Sequence, residues 1–102
     1  MGIDAVLRSE NGEDLTCVGD ERMILARAAT SGQFSGLRLL KYLVPWGDAA
    51  FNQAQADDLQ DDVRLYSEAH AGSPISRHLR EIQPLVERLS SETHQYLWFI
   101  GD

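Results

Sequence analysis

Apolar and polar residues alternate with different periods along this chain, and the changes of period mark out its elements. Residues 3–8, Ile-Asp-Ala-Val-Leu-Arg, form a short apolar run with the β-branched content of a strand. Asn11-Gly12 follows, a dipeptide whose residues tolerate the positive φ of a tight turn. Residues 15–18, Leu-Thr-Cys-Val, return as a second strand, which predicts a β-hairpin. Glu13 and Asp14 are also polar, so its loop exceeds two residues. Asp20 can cap a short helix from Glu21 to about Ala29, where Met23, Ile24, Arg27 and Ala28 give a one-sided pattern. Thr30-Ser31-Gly32 closes it. Residues 37–43 mix alternation (Leu37, Leu39, Leu43) with breaks at Leu40 and Lys41. Gly36 before them and Pro45 after them favour a third strand over a short helix.

Helical spacing dominates the second half. Asp48 can cap a long helix to about Ala71, with Phe51, Leu59, Val63 and Tyr66 near one face. Asp57, Asp58 and Asp61 fall on a neighbouring arc, with Asp62 at its border. Ser73-Pro74 reads as N-cap and first helical residue. Ile75, Leu79, Ile82, Val86 and Leu89 then repeat at alternating spacings of four and three, the mark of a long amphipathic helix that Pro84 must kink or split. Residues 96–100, Tyr-Leu-Trp-Phe-Ile, are apolar all round and fit either the buried end of that helix or a short central strand. The reading favours a helix to about Tyr96 and extended chain beyond. The expected fold is α+β: an N-terminal β-hairpin plus a third strand, packed against two long and one short α-helices in a single domain over 1–102.

Composition narrows the classes of function. The chain has 102 residues, of which 43% are hydrophobic, enough to form one core and to exclude a disordered tract. A domain this small buries a limited share of its surface, which leaves room for a protein partner, a second copy included. The net charge is −7, which disfavours nucleic acid and an anionic membrane surface as ligands. The charge is uneven: residues 1–20 carry a net −4, residues 21–43 a net +3, residues 44–72 a net −5 and residues 73–102 a net −1. An acidic face suits a basic partner. The single cysteine, Cys17, cannot form an internal disulfide, and its apolar setting predicts a buried thiol. The N-terminus lacks a basic start and a long apolar run, and position 6 is Val6 where a myristoylation signal needs Ser or Thr. The expected location is the cytoplasm, with a bacterial look to the chain.

Few constellations suggest chemistry. Asp57-Asp58-Leu59-Gln60-Asp61 matches an aspartate-rich metal motif, but the chain is far too short for the synthases that use it and lacks a second such motif. A solvated helix face is the simpler account. His70, His78 and His94 have no zinc-site spacing, and no cofactor or metal is implied. His78 reads as a helix-surface residue. His94, beside the apolar end, reads as partly buried and in need of a partner. No nucleophile elbow, phosphate-binding loop or dinucleotide fingerprint is present. The densest group of special residues is Pro45-Trp46-Gly47-Asp48, followed by Phe51-Asn52. Asp48 there is either a helix cap or part of a polar pocket with Asn52, and Trp46 either covers the core or serves an interface.

Pro45-Trp46-Gly47-Asp48-Ala49-Ala50-Phe51-Asn52, taken with His94-Gln95-Tyr96-Leu97-Trp98-Phe99-Ile100-Gly101-Asp102, resembles a family of small uncharacterised bacterial proteins. Its members open with a short strand, carry a P-x-G-D-x-x-F-N turn and close on H-x-Y-L-x-F-I-G-D. The resemblance implies no activity. Five apolar residues before Gly101-Asp102 predict an ordered tail. Because both motifs pair apolar anchors with polar residues, the expectation is that this tail docks beside the Asp48 turn, bringing His94, Asp102 and the terminal carboxylate near Asp48 and Asn52. The candidate ligand- or partner-binding residues are therefore Trp46, Asp48, Asn52, His94, Tyr96 and Asp102, with none assigned to catalysis. The leading reading is a small interaction or regulatory protein. Its rivals are an enzyme or ligand binder with a pocket at Asp48, Asn52 and His94, and an immunity-like or antitoxin-like acidic protein that binds a basic partner.

Overall fold

The computed structural model describes residues 2–101. It is an α+β fold with four antiparallel strands in one sheet and three α-helices. In chain order these are β1 (Asp4–Ser9), β2 (Asp14–Val18), α1 (Ile24–Thr30), β3 (Asp48–Phe51), α2 (Ala56–Ala69), α3 (Pro74–Ser91) and β4 (Gln95–Ile100). The sheet order is β2-β1-β4-β3. The hairpin forms where the turn dipeptide predicts it, with Gly12 at φ 87°. A bulge between Leu7 and Arg8 takes up the extra residue of its long loop.

The third strand does not lie at 37–43. That segment is a loop with one 3₁₀ turn at Leu40–Tyr42. The amides of Arg38, Leu39 and Leu40 donate to the Asp62 carboxylate at 2.8–3.0 Å rather than to a neighbouring strand. Asp62 is only 1% exposed, so the aspartate expected at the border of a solvated arc is a buried clamp. Its acceptor capacity matches three converging N–H groups, which is why a charge can sit there.

The Asp48 segment also differs from expectation. Asp48–Phe51 is a strand paired with β4, and α2 begins only at Ala56. Helical spacing from Phe51 to Leu59 competes here with alternation, since Ala49 and Phe51 face one way and Asp48 and Ala50 the other. Pairing with β4 decides the contest. Asn52 then turns the chain, its amide donating to Gln55 Oε1 at 2.9 Å. Likewise α3 stops at Ser91, and residues 95–100 form a central strand rather than a helical end. His94 breaks the helix direction with φ 61°. The Ser73 cap is as expected, its hydroxyl oxygen accepting from the Ser76 amide at 3.1 Å, and α3 continues through Pro84 without being split in two.

One face of the sheet carries the core. Ala5, Leu7, Phe51, Leu97 and Phe99 join Leu59, Val63, Leu79, Ile82, Val86 and Leu89 from the helices in one buried cluster. Phe51 and Phe99 meet edge to face at 5.9 Å. Asp20 fastens α1 to this layer. It is 3% exposed and accepts from the amides of Ile3, Ile24, Leu25 and Ala26 at 2.7–3.2 Å. The expected capping aspartate is thus real, but it caps a helix that starts at Ile24, because Met23 sits at φ 58°.

Candidate functional site

Directly paired residues of antiparallel strands share a face, so the register shows what the other side of the sheet presents. Cys17, Val6, Trp98 and Ala50 lie in one row across it. Asp4, Ile100 and Asp48 form the row on one side. Asp14, Arg8 and Tyr96 form the row on the other. Neither Val6 nor Trp98 belongs to the buried cluster on the helix side. Val6 is nevertheless 6% exposed, because its neighbours in the row cover it. The Arg8 guanidinium lies over the Trp98 ring, 5.4 Å from its centroid, and its Nε donates to Asp14 Oδ1 at 2.6 Å. Arg8 thus serves an ion pair and a cation–π contact at once.

A surface cavity of about 410 Å³ opens on this face, with Arg8, Ala50, Asn52, Tyr96 and Trp98 among its walls. It brings together two of the residues proposed from sequence, Asn52 and Tyr96. Tyr96 is 41% exposed. Arg8 and Ala50 were missed. Their signal was the period-two alternation of β1 and β4, which the apolar run at 96–100 concealed.

The other expected residues separate. Asp48 is on the same face but pairs with Ile100, at the far end of β4 from His94. Six residues of strand put His94 roughly 20 Å away along the sheet. His94 is not partly buried. Its side chain is 73% exposed, with Nδ1 2.9 Å from Glu10 Oε2. The tail and the turn do meet: the Gly101 amide donates to Gly47 O at 2.9 Å. A Cβ on Gly101 would lie 2.5 Å from Pro45 O, so only glycine permits that approach. Asp102 lies outside the described residues. Trp46 does not cover the core, being 73% exposed in the turn before β3.

Two further expectations are reversed. Cys17 is exposed rather than buried, since it points to the open face while Val18 and Thr16 point to the core. Partial desolvation, then the Asp4 and Asp14 carboxylates, push its thiol above the ordinary range. That is the opposite of what a reactive thiolate needs. His78 is buried, 7% exposed, rather than a helix-surface residue. It lies between Asp20 Oδ1, 3.8 Å from Nε2, and Glu81 Oε2, 3.7 Å from Nδ1. The aspartates at 57–61 make ordinary surface contacts, Asp58 with Arg38 at 3.0 Å and Asp61 with Arg64 at 3.3 Å. No group of three or more potential metal ligands occurs among the described residues. No helix among them is long and apolar enough to cross a membrane.

A four-stranded antiparallel sheet with helices on one face, and an aromatic-centred opposite face, defines the class of architecture. No protein-family model, curated protein or solved structure matches the chain.

Proposed function

We propose that this is a non-catalytic protein-interaction domain of the cytoplasm, whose open sheet face receives a basic partner segment. The observation that carries the reading is the row Cys17–Val6–Trp98–Ala50, an apolar band on the sheet face that the helices leave alone. An aromatic side chain flanked by polar groups, with a cavity beside it, is the usual form of a binding hot spot. Charge supports the choice of partner. The four strands contain Asp4, Asp14 and Asp48 but only one basic residue, Arg8. Arg8 is already engaged by Asp14 and Trp98, which leaves Asp4 and Asp48 flanking Ile100. A second copy carries the same net charge of −7 and the same acidic face, so like charges oppose self-association. The lone exposed Cys17 suits a reducing compartment.

The test uses a Trp46→Phe variant, which leaves Trp98 as the sole tryptophan reporter. A strand-forming peptide of alternating arginine and valine should shift Trp98 emission saturably. Added salt should weaken the binding, as should Asp4→Asn combined with Asp48→Asn. An alternating glutamate–valine peptide should not bind. Equal binding of both peptides, or of neither, overturns the reading. So does a sedimentation dimer that buries Trp98, which would make the occupant a second copy.

A further inference from the structure

We propose that the cavity between the β2–α1 connection and the start of α3 is a binding site for a small oxyanion, a carboxylate or a phosphate held between Arg22 and Arg77. The cavity measures about 700 Å³, within the range of small-molecule sites. It lies at the β2 edge of the molecule and shares Cys17 with the open-face row, but the contacts assigned to the anion are Arg22 and Arg77, which the sheet-face reading does not use. Arg22 comes from the turn before α1, and Arg77 from the first turn of α3. His78, Glu81, Glu21 and Pro74 are also in its walls.

Three observations converge there. First, neither arginine has a carboxylate partner among the described residues, although the chain holds 16 acidic residues against 9 Lys and Arg. In Arg77 this is notable, because Glu81 stands four residues on, the spacing at which helical ion pairs form. Glu81 instead turns to His78 Nδ1, 3.7 Å away, and Arg77 is left open to the cavity. Second, His78 is a buried imidazole in the wall whose Nε2 has no hydrogen-bond partner. At 3.8 Å, Asp20 is too distant to supply one. A wall with a purely structural role rarely leaves such a nitrogen unbonded. Third, Pro74 places the positive end of the 18-residue helix α3 on the same cavity. Counted with histidine neutral, Arg22 and Arg77 balance Glu21 and Glu81 in the walls, so the two guanidinium forks, rather than a net positive charge, hold the anion. Planar guanidiniums match the two oxygens of a carboxylate or phosphate, which gives the anion its orientation.

Amide NMR titrations with sodium phosphate and, separately, sodium succinate, at ionic strength matched by chloride, test the site. Saturable shifts are expected at residues 19–22 and 77–81 for at least one of the two. The ratio of the two affinities shows which oxyanion the cavity prefers. Arg22→Gln with Arg77→Gln should weaken binding at least ~10-fold. Both side chains are exposed, so the fold should survive. Arg80→Gln, outside this cavity, should leave binding unchanged, and Arg77→Lys should retain part of it. Linear shifts equal to those in chloride alone overturn the proposal. So does undiminished affinity in the double glutamine variant.

Discussion

The two faces of the sheet share the same strands and differ in almost everything else. Leu97 and Trp98 are consecutive residues of β4. Leu97 is 0% exposed against the helices, while Trp98 is partly exposed under the Arg8 guanidinium. One face is closed by packing, with Phe51, Phe99 and Leu7 fixing its shape. The other is held by a salt bridge, a cation–π contact and small residues, and it keeps solvent access. The difference teaches that β4 does two jobs at period two. It is a core strand on its odd residues and a display strand on its even ones.

Truncation at the two neighbours should separate these jobs most sharply. Leu97→Ala leaves a cavity between sheet and helices and should cost about 2–5 kcal/mol by urea denaturation. Trp98→Ala should cost about 1 kcal/mol, because its ring is only partly removed from water. Equal losses at the two positions would break the distinction between the faces.

The closed face also depends on a polar fastening. Asp20→Ala orphans the amides of Ile3, Ile24, Leu25 and Ala26 and should cost about 3 kcal/mol. Asp20→Asn, which retains one acceptor oxygen, should lose less. Hydrogen exchange should show α1 freed first in both variants. Protection of α1 equal to that of the parent chain would show that packing alone holds it.

A third change acts at the corner where both faces end. Gly101→Ala brings a Cβ against Pro45 O and Gly47 O, at 2.5 and 2.7 Å before relaxation. The expected cost is about 1–3 kcal/mol, with the Gly101–Gly47 hydrogen bond broken. A neutral result in thermal unfolding would mean that the tail yields without strain.

Much of this was legible in the chain itself, and the illegible parts have specific causes. The hairpin announced itself through Asn11-Gly12, and α3 through Ser73-Pro74 and the spacing from Ile75 to Leu89. Those signals are local. β3 was not legible, because Asp48 followed by Ala49-Ala50-Phe51 reads equally as a capped helix, and only the distant partner β4 selects the strand. β4 hid its alternation because Trp98 and Ile100 on the open face are as apolar as Leu97 and Phe99 on the core. His78 looked like a surface residue because Asp20, which faces it, lies 58 positions earlier. Asp62 was misplaced for a similar reason: its three donors come from a loop more than 20 residues upstream. Of the candidate site, Asn52 was found from its spacing to Asp48 and Tyr96 through the family resemblance. Arg8 and Ala50 needed the register.

The smallest expected effect concerns Cys17, in the same row of the open face as Val6 and Trp98. Its thiol is pushed up first by desolvation and then by the Asp4 and Asp14 carboxylates. Raising a thiol's pKa leaves less thiolate at a given pH, and thiolate is the form that reacts. Alkylation of the folded chain should therefore be slower than that of the urea-unfolded chain at pH values below the folded midpoint. Its rate profile should lie at higher pH. Asp4→Asn with Asp14→Asn removes only the electrostatic share, so the profile should move down part of the way and stop above the unfolded value. Asparagine at position 4 can still accept the Asp20 amide, and asparagine at position 14 can still accept from Arg8 Nε, so both hydrogen bonds can survive the exchange. Coincident folded and unfolded profiles would show that solvent reaches this row as freely as it reaches an unfolded chain. The apolar band would then have no desolvated centre around which to build an interface.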